Sequence, residues 1–438
     1  MNPTFPSPHL KNINGGYSAF ALHPNRLTLL LVCIALMLLC LPEASARHKI
    51  YSPSVKTLRV TVNQDWLSPP VMILGQGDVL NVSFDHLSHQ YHRFVYHIDH
   101  CEADWSLSEA IFENDFLSGF NDNPIEDYQN SINTTVDYTH YKFQLPNDRC
   151  QLKLSGNYRL TVYDADNNDE KVLEAEFMIA EQSMNVGLEV TSNTDIALNK
   201  SHQQVSMSVG YNNWNVTNID EQIATVVMQN GREDNAKRNV RPNLINNRGL
   251  AWEHNRQLIF EAGNEYRKYE VLATSHPTMG IEYINWDGHH YHAYPYLSEP
   301  RLNYLTDEDA NGAFYIRNSD NIENDYTTDY VFVHYKLKSP EITNGRMIIN
   351  GNWTTDANKR TYTMEYDDSD GTYNATVMQK MGYYNYQYLV EHPDGSLSIP
   401  PTEGSYYQTE NRYQALVYYK GPADRTWRIT GYRQLIFK

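Results

Sequence analysis

The chain has 438 residues, 41% hydrophobic and 20% charged, a composition that folds rather than one that stays disordered. Acidic residues outnumber basic ones 53 to 35, for a formal net charge of -18, and no Lys/Arg-rich run interrupts that balance. Nucleic acid and anionic membrane surfaces are therefore poor partners, since both are bound through a positive face. Tyrosine is over-represented, with 34 Tyr against 13 Phe. An amphipathic ring suits a pleated, half-buried surface, so the composition leans towards β structure.

The first 46 residues read as an export signal. Lys11 and Arg26 precede an apolar stretch, Leu27 to Leu41, and the small-residue site Ala44-Ser45-Ala46 follows. A membrane anchor is the alternative, but a helix of that stretch reaches only about 22 Å against a bilayer core of about 30 Å. Cleavage is expected after Ala46. It removes Cys33 and Cys40 and leaves Cys101 and Cys150. In an oxidising compartment that pair forms either a disulfide, closing a loop of about 50 residues, or two buried thiols. No later stretch is apolar enough to span a membrane as a helix.

Short alternating runs then dominate. Thr57 to Val62, Val79 to Phe84, Arg93 to Ile98, Tyr158 to Tyr163 and Leu173 to Ile179 alternate as half-buried strands do, with Pro69-Pro70, Gly75, Gly77 and Ser155-Gly156-Asn157 between them. A turn or so of helix is expected within Ser106 to Phe116. A second set runs from Gly187 through Gln204 to Val209 and Gln222 to Gln229, then Gln257 to Phe260, Tyr269 to Leu272 and Tyr330 to Tyr335. Gly231 to Gly249 reads as a long polar loop. A third set follows Lys338-Ser339-Pro340. The expected architecture is all-β: a signal peptide (1–46) and three tandem immunoglobulin-like β-sandwiches over 47–182, 183–338 and 339–438.

Catalytic signatures are missing. There is no G-x-S-x-G, no S-x-x-K, no phosphate-binding G-x-x-x-x-G-K-[ST] and no dinucleotide G-x-G-x-x-G, so no cofactor is expected. Histidines cluster twice, at His86, His89, His92, His97 and His100, and at His289, His290 and His292. Zinc would suit such residues, but strand alternation puts His97 with Cys101 on one face and His100 on the other. A shared metal would need ligands from other elements.

In the third unit, Asn350-Gly351-Asn352-Trp353 followed by Gly382-Tyr383-Tyr384-Asn385-Tyr386-Gln387-Tyr388 resembles the immunoglobulin-like starch-binding modules of glycogen-branching enzymes. Trp353, Tyr384, Tyr386 and Tyr388 are then either sugar-stacking rings or core.

Over the whole chain the motifs resemble one family, the plug protein of the Bacteroidetes type IX secretion system. The resemblance rests on Tyr96-His97-Ile98-Asp99-His100-Cys101-Glu102-Ala103-Asp104-Trp105, Gly119-Phe120, Asp127-Tyr128, Ser131 to Thr135, Pro146-Asn147 and Ser155-Gly156-Asn157-Tyr158. It continues through Gly263-Asn264-Glu265-Tyr266-Arg267, Asp309-Ala310-Asn311-Gly312, the tyrosine strand, Glu403-Gly404, Thr409-Glu410-Asn411 and Val417-Tyr418-Tyr419. It implies a non-enzymatic periplasmic protein on the inner side of the outer membrane, where it seals the giant translocon β-barrel. A periplasmic or surface glycan-binding sandwich is the alternative. His100, Asp104, Trp105, Asn264, Glu265, Arg267, Trp353, Tyr384, Tyr386, Glu403, Thr409, Glu410 and Asn411 are then either structural or at the interface. The loops Gly231 to Gly249 and Asp115 to Asn133 are the better interface candidates.

Overall fold

Two-residue periodicity builds the molecule. Along the strand Phe94–Cys101, the residues Phe94, Tyr96, Ile98 and His100 are buried while Val95, His97 and Asp99 are only partly covered. The structure is a computed structural model that describes Met1 and residues 48–438. The expected leader and its cleavage site therefore lie outside the described residues. Described helices are single turns at Glu113–Phe116, Ile219–Gln222 and Asn324–Thr327, besides two short 3-10 turns. The first falls inside the segment predicted for it. None of these is long and apolar enough to cross a membrane. The fold is an all-β sandwich.

One core lies between the antiparallel sheet Val55–Val62, Leu80–His86, Thr139–Leu145, Asp127–Asn130 and the strands Phe94–Cys101, Gly156–Asp164 and Glu170–Ala180. Phe84, Tyr141, Phe94, Tyr96, Leu160 and Phe177 fill it. A second core, with Tyr269, Val333, Tyr335, Met347 and Trp353, lies under the tyrosine strand Gly382–Glu391. That strand faces the sheet of Ile281–Trp286, Tyr291–Pro295, Tyr330–Lys338 and Thr372–Lys380.

A third core draws on both ends of the later chain. Val205, Val209, Trp252 and Phe260 meet Tyr413, Ala415 and Val417 there. The cause is strand pairing: Asn411–Tyr419 lies antiparallel to Ile223–Gln229, from Ile223↔Tyr419 to Gln229↔Tyr413, and then pairs with Arg428–Phe437. The expected unit 339–438 therefore does not keep its strands together. Its last two close the sandwich that begins at Asn185–Thr191, and the chain between them supplies the core under the tyrosine strand. The polar segment 231–249, expected as a loop, carries two short strands, Lys237–Arg238 and Leu244–Asn246.

These parts share backbone as well as side chains. Ala180 pairs with Ile429 in parallel, which makes one ten-stranded sheet of strands from residue 48 to residue 437. Val71, Met178, Ala180, Val226, Leu416, Tyr418 and Ile429 pack across that seam.

Candidate functional site

Most of the motif residues gather at buried junctions. Asn264, Glu265 and Arg267 follow the strand Ile259–Glu261, and Glu403 precedes the return strand Asn411–Tyr419. The Asn264 Nδ2 donates to the Glu403 carbonyl at 2.9 Å, and Arg267 Nε donates to Glu403 Oε1 at 2.9 Å. The Arg301 guanidinium holds the other oxygen. Burial alone would raise the Glu403 pKa, but the two guanidiniums outweigh it and hold the carboxyl below its ordinary range. Glu265 Oε1 accepts from Tyr304 OH at 2.7 Å and from the Glu410 N–H at 3.1 Å. Thr409 Oγ1 donates to the Gly263 carbonyl, and Asn411 Nδ2 donates to Gln203 Oε1 and to the Ala262 carbonyl. Seven separately predicted residues thus form one largely buried polar junction between two cores.

The corner after Phe94–Cys101 is another such junction. His100 is buried, with Nδ1 2.8 Å from Ser108 Oγ and Nε2 3.2 Å from the Ser155 carbonyl. Burial lowers its pKa. Gly156, at φ +149°, allows this approach, since a Cβ there would stand 2.2 Å from His100 Nε2. Asp104 caps the turn by accepting from Ser106 Oγ at 2.6 Å. Trp105 sits in the left-handed region at φ +68° and packs against the seam. Ser108 Oγ and Thr426 Oγ1 are 3.0 Å apart, so the corner is fastened to the C-terminal strands.

Cys101 and Cys150 are free and buried, so the alternative of a disulfide is not the one formed here. Alternation explains it: Cys150 joins the core lined by Phe94, Tyr96 and Ile98, while Cys101 falls on the opposite face with His97 and Asp99. Burial pushes the Cys101 thiol up to about 12 and the Cys150 thiol to about 11. His97 hydrogen-bonds Asp99 and Asp122, which raise it to about 9. The second histidine cluster becomes a string on a sheet face. Asp287 Oδ2 lies 3.0 Å from His292 Nε2, and His292 Nδ1 lies 2.7 Å from His334 Nε2.

The proposed sugar-stacking rings are core. Trp353, Tyr384, Tyr386 and Tyr388 are all buried, and Trp353 Nε1 donates to the Asn385 carbonyl at 2.8 Å. Their faces meet one another, as in the edge-to-face contact of Trp353 and Tyr384 at 5.6 Å.

Exposed apolar side chains mark a different surface. The first sandwich presents Phe112 (73% exposed) and Phe120 (74%), with Leu107, Tyr128 and Ile132 on the same stretch of chain. That stretch is anchored: Phe120 N–H donates to the Arg149 carbonyl at 2.8 Å, and Arg425 pairs with Asp115 at 2.7 Å. Leu244 and Ile245, in the other candidate loop, are also exposed. Phe112 lies just before the predicted interface segment, and a lone Phe among polar residues gave no periodic signal. A buried ionic group was missed altogether. Asp85 Oδ1 accepts from His140 Nδ1, and Asp85 Oδ2 accepts from Lys380 Nζ and Tyr330 OH, each at 2.6 Å.

Comparison with known proteins accords with this architecture. The sequence model for the type 9 secretion system plug protein 1st domain matches residues 55–181. The crystal structure of a hypothetical protein from Parabacteroides merdae superposes with a TM-score of 0.86 at 34% identity, over 90% of this chain and 100% of that one. Collagen adhesin from S. aureus aligns at 9% identity over 89% of this chain and 94% of that one, with a TM-score of 0.10 that carries no argument. No curated protein matches. The matched span contains the corner of His100, Asp104 and Trp105 and the exposed Phe120, and the likeness to the Parabacteroides structure extends over the later cores. The chain belongs to the type IX secretion system plug protein family.

Proposed function

We propose that this protein acts in the periplasm as a plug, binding the periplasmic mouth of the type IX outer-membrane translocon barrel and closing it without chemistry of its own. The observation that carries this reading is the match of residues 55–181 to the plug first domain. The physical features support it. The cores are locked to one another by a shared sheet and buried polar junctions, which suits a body that works by occupancy. Anchored loops on a rigid sandwich carry exposed aromatic residues, the kind of side chain that anchors protein contacts. The net charge of -18 disfavours an anionic lipid surface as the partner.

Affinity purification from the native envelope tests this directly. A very large outer-membrane barrel protein should co-purify, and deleting the gene should let bulky antibiotics through the outer membrane. Absence of both effects would sink the reading.

A further inference from the structure

Two strand ends of the first sandwich bring one histidine and two carboxylates to a point. His92 precedes the strand Phe94–Cys101, and Asp164 ends the strand Gly156–Asp164, with Asp164 paired to Phe94. His92 Nδ1 stands 3.2 Å from Asp164 Oδ2. Asp166, in the following turn, joins them, so that one ligand atom from each of the three lies within 4.8 Å of the others. One oxygen of each carboxylate accepts from a backbone group: Asp166 N–H donates to Asp164 Oδ1 at 3.0 Å, and Arg93 N–H donates to Asp166 Oδ2 at 2.7 Å.

An ion pair would account for His92 and Asp164 alone. It does not account for His86, which ends the strand Leu80–His86 and is only 7% exposed. Its ring centroid is 4.3 Å from that of His92, and its Nδ1 has no hydrogen-bond partner. A buried polar atom left unsatisfied is costly, and this one stands beside the imidazole that touches Asp164.

We propose that His92, Asp164 and Asp166 bind a divalent transition-metal ion of the zinc class, with His86 turning in as the fourth ligand. Imidazole and carboxylate are zinc donors, and four of them close a structural site. Calcium would use the oxygens and leave both imidazoles idle. Bonds of about 2.0–2.2 Å require the ligands to draw together. Asp166 is exposed enough to rotate, and the Arg93 guanidinium, 4.0 Å from it and more than half exposed, is free to swing aside. Alternation along the strand Phe94–Cys101 separates His97 and Cys101 from His100, so a metal near this cluster needs ligands from other elements. The missing ligands come instead from a hairpin 72 positions further along the chain. Bound metal would clip the loop 87–93 to that hairpin.

Titration calorimetry with zinc chloride on untagged, chelator-treated protein tests the site, with thermal melting as a second readout. The wild type should take one equivalent and melt higher with zinc. Asp166→Asn and His92→Gln should each weaken binding by at least about tenfold and abolish the rise in melting temperature. His86→Phe should weaken it too. Circular dichroism checks each fold, and Asp166→Asn, at an exposed position, keeps the test valid if a buried variant fails to fold. No zinc uptake by the wild type, or a preference for calcium, would overturn the site. So would full affinity in Asp166→Asn and His92→Gln, which would place zinc on other histidines, or in His86→Phe, which would remove the fourth ligand.

Discussion

Lys380 and Asp85, 295 positions apart, meet at 2.6 Å with 1% and 0% of their side chains exposed. The pair joins the first sandwich to the one under the tyrosine strand. Burial on its own would raise the Asp85 pKa, but the Lys380 ammonium and the His140 hydrogen bond overcome it and hold the carboxyl at about 2. A carboxyl depressed in the folded state stabilises above its unfolded pKa and loses that contribution as pH falls through the folded value. Stability should therefore drop by about 2 kcal/mol between pH of about 4 and about 2 from this group. Urea midpoints measured across that window should show the slope in the wild type, and Asp85→Asn should flatten it. Lys380→Met should cost about 3–5 kcal/mol at pH 7, because the carboxylate is left buried and short of its partner.

Glu403 holds Arg267 and Arg301 at the other junction. Glu403→Gln leaves two guanidiniums facing a neutral amide in a buried site, at a cost of about 3–5 kcal/mol. Its carboxyl is also depressed in the folded state, so the wild-type advantage over Glu403→Gln should be full at neutral pH and shrink on acidification below the ordinary glutamate value. Denaturation of both proteins at neutral and acid pH checks this. An equal gap at the two pH values would show that the charge is not what the junction uses.

Local alternation reveals strands because burial imposes it residue by residue. That is why Phe94–Cys101 and Gly156–Asp164 are legible in sequence, and why Tyr384, Tyr386 and Tyr388 of Gly382–Glu391 could be placed on one face. What sequence hides is which strands meet. The pairing of Val226 with Leu416 depends on hydrogen bonds between backbone groups that are the same in every residue, so nothing near residue 411 announces its partner. The buried ionic groups were hidden for the same reason. Asp85 looks like any strand-end acid until Lys380 arrives from the other sandwich. The motif residues were visible as unusual combinations, yet the burial of most of them and the hydrogen bonds that join them came only with the fold.

Cys101 and Cys150 give a simple chemical check. Alkylation of unreduced protein should leave both unmodified in the native state and modify both after denaturation, read as a mass increase of two adducts. Melting should be unaffected by reductant. A denatured, unreduced chain that takes no label would mean that the pair is bonded.

Trp353→Ala separates core from glycan contact. The ring packs between Tyr335, Tyr362 and Tyr384, so its loss should cost about 3–5 kcal/mol and lower the melting temperature. Glycan-array binding should be absent in the wild type. Binding that disappears in a Trp353→Ala protein of unchanged stability would instead restore a sugar-stacking role.

Phe120 tests the contact with the barrel. Its ring is exposed while its backbone is pinned to the Arg149 carbonyl, so the side chain contributes little to folding. Phe120→Asp should change stability by no more than about 0.5 kcal/mol. A buried aromatic anchor at an interface, by contrast, is worth about 2 kcal/mol or more, and a carboxylate in its place adds a desolvation cost. Capture of the outer-membrane barrel by Phe120→Asp should thus fall well below that of the wild type, and by more in the double variant with Phe112→Asp. Asp166→Asn, changed only at the hairpin, should capture normally, which separates barrel binding from metal binding. Undiminished capture by the double variant would move the interface away from residues 107–132 and towards the short strand that carries Leu244 and Ile245.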